Sequence, residues 1–147
     1  MSLSIRIATT EDAAIIASMN AQLILDEGHR NPMDLAQLSA RMHTWLNNEY
    51  KAMMLYSDDI ISGYLLYRLD QEHVYIRQLF IKAEYRRQGF GRQAIHWLQN
   101  EQQKKLRIDV LVNNLSGQKF WQALGFQNYC ITMELTDLPQ GSFITQA

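Results

Sequence analysis

The sequence predicts an α/β layered fold built on one mixed sheet, and three observations carry that reading. The chain has 147 residues, the length of one domain. Its apolar periodicity switches between two and 3.6 in the order strand, two helices, three strands, helix, strand, helix, strand. Helices that join strands of one sheet pack against that sheet as layers. Three consecutive central strands exclude a fully doubly wound parallel arrangement.

Each element follows from local signals. "SLSIRIA" alternates and reads as the first strand. In "TTEDAAIIASMNAQLI", Thr9 or Thr10 caps the free amides and Glu11 and Asp12 occupy the first turn. Ile15, Ile16, Met19 and Leu23 then recur at helical spacing. Gly28 and Pro32 break that helix. A second helix, "MDLAQLSARMHTWLNN", places Leu35, Leu38, Met42, Trp45 and Leu46 on one side.

Asp58 and Asp59 form a hairpin turn between two strands, the second running from Ile60 to Leu69 with a bulge at Gly63. The third strand of the group, "EHVYIRQLFIKA", skips a beat between Ile76 and Leu79. A bulge near Arg77–Gln78 restores its phase. A helix then runs to about Gln103, "KLRIDVLVNN" is a strand, and "LSGQKFWQALGF" is a short helix closed by a left-handed Gly125. "QNYCITMEL" reads as a further strand. "SFIT" is either a short seventh strand or a segment that pairs with another subunit, which makes a homodimer.

Composition narrows the function classes. Net charge is −1, from 14 basic and 15 acidic residues, which argues against a dedicated nucleic-acid binder. One cysteine, Cys130, excludes an intrachain disulfide, and its apolar strand context reads as buried filler. The four histidines are scattered with no cysteine pair, so no metal site is expected. No apolar run approaches a membrane span and the start does not read as a signal peptide, so the expected compartment is the cytoplasm. Met19, Met42, Met53 and Met54 read as core, and Tyr50, Tyr56, Tyr64 and Tyr67 suit strands.

The stretch "EYRRQGFGRQAIHWL" sets two glycines two apart, behind two arginines and ahead of a helical run. The first turn of a helix leaves backbone amides unpaired. Glycines at 89 and 91 let a ligand come close, so the amides of Arg87, Gln88, Gly89, Phe90, Gly91 and Arg92 can converge on a phosphate in the helix field. Arg86, Arg87 and Arg92 add charge. The loop GxxxxGK[ST] is absent, and "GFGRQA" departs from GxGxxG at Ala94. On spacing alone, both a phosphate site and a plain basic helix start remain open.

Arg86, Gly89 and Gly91, following the strand "IRQLFIKAEY", resemble the acetyl-coenzyme A motif of the GCN5-related N-acetyltransferase (GNAT) superfamily. A second block, Asn114, Phe120, Trp121, Gly125 and Phe126, resembles that family's Asn–aromatic pair–Gly-Phe segment. Together the blocks cover Val74 to Phe126. The resemblance implies an α/β (α+β) three-layer sandwich: a mixed, mostly antiparallel sheet of six to seven strands, helices on both faces and one splayed strand pair. It also implies an N-acetyltransferase that uses acetyl-CoA as donor and a small-molecule primary amine as acceptor. A peptide or protein amine and a non-catalytic acyl-CoA-binding role are the alternatives.

The same resemblance implies site roles. Acetyl-CoA lies where Val74–Ile81 and Leu106–Val112 splay apart. Leu79, Phe80 and Ile81 hold the pantetheine arm, the glycine loop takes the pyrophosphate, and Asn114 and Phe120 help to place the cofactor. The Leu79 amide points near the thioester oxygen, which gains charge on attack. A base and an acid are then needed. The fourth strand offers only Arg77 and Gln78, so Glu27, His29, His73 and Asp109 are the candidates for the base. Many members carry a tyrosine second in the aromatic pair; here Trp121 stands there and cannot transfer a proton. Tyr129 is the nearest spare hydroxyl. The first two helices form one wall of the acceptor cleft, where Asp26 and Glu27 attract a cationic amine.

Overall fold

A computed structural model describes residues 2–137. Five strands form one sheet in the order β1-β2-β3-β4-β5: Leu3–Ile7, Tyr50–Ser57, Ile60–Leu69, His73–Ile81 and Lys105–Ile108. The first four pair antiparallel, and β4 pairs parallel with β5. Helices α1 (Ala13–Glu27), α2 (Leu35–Leu46), α3 (Phe90–Gln102) and α4 (Leu115–Ala123) complete the described elements.

Two cores make the three layers. On one face of the sheet, Ile16, Met19 and Leu23 of α1 and Met42 of α2 pack against Met54, Tyr64, Leu66 and Phe80. On the other, Ala94, Ile95 and Leu98 of α3 and Trp121 of α4 pack against Leu55, Leu65, Val74 and Ile76. Met19, Met42, Met53 and Met54 are all buried, as expected of core residues. Ile15 and Leu35 are exposed, because the seam each helix presents to the sheet is narrower than its apolar stripe.

Local signals held at most boundaries. Thr9 caps a 3-10 turn with Asp12 closing the capping box, ahead of α1. Gly28 ends α1 and Gly125 follows α4, both at positive φ. Asp58 and Asp59 turn the hairpin at φ 49° and 67°. Leu55 pairs with Gly63 and Tyr56 with Ile61, so Ser62 is the extra residue beside the glycine. A Cβ on Gly63 would lie 1.9 Å from the carbonyl oxygen of Phe80, so only glycine fits there. The second bulge also falls where the alternation breaks: Leu66 pairs with Gln78 and Tyr67 with Ile76, leaving Arg77 unpaired.

Three expectations are corrected. The sheet has five described strands rather than six to seven. "QNYCITMEL" forms no strand: it lies outside regular structure with Tyr129, Ile131, Met133 and Leu135 exposed. Cys130 is likewise exposed rather than buried. Alternation alone cannot supply the neighbouring strand that would bury one face. "SFIT" lies outside the described residues.

Candidate active site

The site begins where β4 loses its neighbour. The β4–β5 ladder runs from His73↔Lys105 to Ile76↔Ile108 and stops. The bulge at Arg77 follows at once, and residues 77–81 of β4 have no described strand on that side. Bulges end pairing and re-aim side chains. Here the bulge keeps Val74, Ile76, Leu79 and Ile81 on the α3 face and leaves Tyr75 and Phe80 on the α1–α2 face. The β4–β5 pairing therefore ends early, with β5 shorter than the sequence suggested and residues 109–112 outside any strand.

At the open end of this gap stands the loop before α3. Arg87 adopts φ 63° and Gly89 φ 81°. Gly89 caps α3, and its carbonyl accepts from Gln93. Among the described residues, the amides of Arg87, Gln88, Gly89, Phe90, Gly91 and Arg92 donate to no protein acceptor. Six consecutive free donors at a helix N-terminus are an arrangement whose chemistry suits an anion.

The two glycines work differently from the expectation. Gly89 is needed for its backbone angle. Gly91 is buried, and a Cβ there would meet the Phe120 ring at 3.0 Å and Leu79 at 3.7 Å. Its missing Cβ lets α3 close on Phe120 of α4. Phe120 in turn meets Trp121 edge-on at 4.9 Å, and Trp121 meets Phe126 at 5.1 Å. Both aromatics thus pack α4 onto the sheet. The Phe90 side chain is buried beside Tyr85, so only its amide faces the loop.

The arginines divide as well. Arg86 donates to the Ile81 carbonyl (2.7 Å) and to Asp26 (2.7 Å), with its guanidinium over Phe80. It braces the loop to α1. That contact, with one from Gln22, holds the Asp26 carboxyl below the usual range and leaves Asp26 engaged within the protein. Arg87 and Arg92 are exposed at the loop, with no described carboxylate partner. The Asn114 side chain caps α4 by accepting from Gly117 at 3.0 Å, and its NH2 group remains a donor.

Across β4, on the α1–α2 face, lies a polar group that periodicity did not reveal. Tyr64, fully buried, donates to Gln78 Oε1 at 2.7 Å. Glu27 sits nearby at the last position of α1, half-buried. Desolvation, then the neighbouring Asp26 charge, raises its carboxyl above the ordinary range. Its field reaches Tyr64, whose hydroxyl is pushed up mainly by burial and then by Glu27. Of the four candidate bases, Glu27 is the one whose charge acts on Tyr64, the register partner of Phe80 in the second half of β4. His29 is exposed and accepts from the Asn31 amide. His73 faces Asp70 at the opposite end of β4. Asp109 accepts from Tyr75 at 2.9 Å, and burial followed by that bond pushes the Tyr75 hydroxyl up to about 12.

Tyr129 is not brought to the gap. It is 78% exposed, with Arg107 stacked at 4.5 Å, beside the paired end of β5. No group of three metal-ligating side chains occurs among the described residues, and no described helix is long and apolar enough to cross a membrane.

Comparison with known proteins agrees with this geometry. A search of curated proteins returns no match. Among solved structures, a possible acetyltransferase from Clostridium difficile 630 superposes with a TM-score of 0.79 at 18% identity, covering 95% of this chain and 100% of its own. A predicted acetyltransferase with acetyl-CoA from Clostridium acetobutylicum gives 0.74 at 19% identity over 92% and 96%. An aminoglycoside N-acetyltransferase in complex with CoA gives 0.72 at 17% over 92% and 95%. These likenesses show the fold. The profile of the acetyltransferase (GNAT) family matches residues 19–126, most of the length, and the chain belongs to that family.

Proposed function

We propose that this protein is an N-acetyltransferase that passes the acetyl group of acetyl-CoA to a primary amine of a small molecule by direct attack on the thioester. The observation that carries the reading is the run of six free amides beside the half of β4 that β5 leaves unpaired. The residues fit the donor: main-chain N–H groups and two exposed arginines suit a pyrophosphate, and an unpaired strand edge suits an amide-bearing arm. Two fold relatives solved with acetyl-CoA or CoA support the same donor.

When bound, acetyl-CoA supplies an activated acyl group. The chain does the rest. The amides of residues 87–92 fix the diphosphate, with Arg87 and Arg92 at the rim. The free edge of β4 at Leu79, Phe80 and Ile81 orients the arm, and the Leu79 amide offers a donor where carbonyl oxygen gains charge. Asn114 and Phe120 close the opposite side. Glu27 takes the proton from the incoming ammonium, and its raised pKa makes it a better base than an exposed carboxylate. Holding amine and thioester together supplies much of the acceleration. No protein acid is assigned, because a thiolate of ordinary pKa, about 8.5, leaves unaided.

Two measurements test this. Acetyl-CoA should raise the melting temperature, and an amine panel followed by free-thiol release should show turnover. Thermal stabilisation without turnover on any amine or peptide would replace the enzyme by a cofactor-binding domain. No stabilisation at all would end the donor assignment.

A further inference from the structure

The α1–α2 side of β4 carries two cations that the proposed chemistry does not use. Arg41 of α2 lies over the Trp45 ring at 4.2 Å, and Arg77, the bulged residue of β4, lies over the same ring at 4.6 Å. Neither has a carboxylate partner among the described residues. Arg41 donates one bond, to Asn20 Oδ1 at 3.2 Å, while its buried Nε has no acceptor. Asn20 is 1% exposed, and its Nδ2 also lacks an acceptor. Arg77 reaches only the Tyr50 hydroxyl, at 3.4 Å.

Such an arrangement is costly by itself. Burial and the neighbouring Arg77 charge both act against the charged form of Arg41, which stays cationic regardless. Two guanidinium groups at one ring repel, and buried donors without acceptors lose hydrogen bonds. An oxyanion bound at the two guanidinium groups would offset their repulsion and burial cost, because planar guanidinium forks match carboxylate and phosphate oxygens.

Its position gives it meaning. Arg41 bonds Asn20, which precedes Glu27 by seven residues on α1, two turns or about 10 Å along the helix. Tyr64 lies within the field of both Glu27 and Arg41. A molecule whose amine reaches Glu27 and whose acidic group lies a comparable distance away has Arg41 and Arg77 as the cations on that side of β4.

We propose that the acceptor is an amine with a remote acidic group, and that Arg41 and Arg77 against Trp45 form the subsite for that group. The inference rests on the acetyltransferase reading for the role of Glu27, but the subsite is testable by binding alone.

The probes are 6-aminohexanoate, its carboxamide, and a phosphorylated amino alcohol of the same length, each with the full chain saturated with acetyl-CoA. Melting temperature and titration calorimetry report binding, and thiol release reports turnover. The acid should bind at least about tenfold more tightly than the carboxamide. Preference for the phosphorylated amine instead identifies the oxyanion as phosphate. Arg77→Gln, at an exposed position, should remove the preference without altering stabilisation by acetyl-CoA, and Arg77→Lys should restore part of it. Arg41→Gln should act in the same direction. Equal binding of acid, phosphate and carboxamide, or a preference that survives Arg77→Gln, would overturn the subsite. Absence of stabilisation by acetyl-CoA alone would instead sink the donor assignment.

Discussion

The two halves of β4 are built to different ends. Residues 73–76 have a strand on each side, with Val74 and Ile76 fully buried. Residues 77–81 have a described strand on one side only, with Arg77 exposed and Leu79 half-buried. A single extra residue, Arg77, separates the regimes. Before it, backbone polar groups are spent on the sheet. After it, one edge pairs with no described strand, and the Ile81 carbonyl accepts from the Arg86 side chain instead.

The comparison can be broken most severely from the paired side. Gly63→Val drives a side chain into the Phe80 carbonyl, with no flexible neighbour to yield. It should cost about 3 kcal/mol or more of stability, read by urea unfolding, and abolish activity through loss of the fold. Glu27→Gln acts only beyond the bulge. It should lower kcat about 100-fold with the melting temperature nearly unchanged. In the parent protein kcat/KM should rise with pH through a value above the ordinary glutamate range, as the carboxyl loses its proton and becomes the base. The variant should lack that limb; a retained limb would assign the base elsewhere.

Smaller effects sharpen the contrast. Gly89→Val forces a β-branched residue to φ 81° and should weaken acetyl-CoA binding about tenfold by calorimetry. Arg87→Gln should weaken it about threefold, and less at high salt, since the side chain is exposed. Smallest is Asp26→Asn, worth under about 1 kcal/mol for an ion pair near solvent. The Asp26 carboxyl is depressed by Arg86, so its contribution is present above the unfolded carboxylate range and lost as pH falls through the folded value. The variant should flatten that part of the stability–pH curve.

What the sequence made legible was whatever a short window specifies. The hairpin at Asp58–Asp59, the caps at Thr9 and Gly28 and the bulge at Arg77 all leave a mark within a few residues. So does the glycine loop. What escaped depends on partners far along the chain. Arg86 reads as a phosphate ligand until Asp26, sixty residues away, is seen to hold it. Tyr64 reads as a strand aromatic until register places its hydroxyl on Gln78. "QNYCITMEL" alternates as a strand should, yet it forms no ladder with any described strand. Arg41 and Arg77 meet at Trp45 only because α2 crosses the sheet beside the bulge.

The pair of glycines before α3 invites one last consequence. Position 89 is restricted by torsion, and asparagine, which tolerates left-handed backbone, is its natural substitute. Position 91 is restricted by volume, and asparagine there collides with an aromatic ring. A saturation library at the two sites should therefore return different survivors, one sorted by backbone preference and the other by size, from residues that look interchangeable in print.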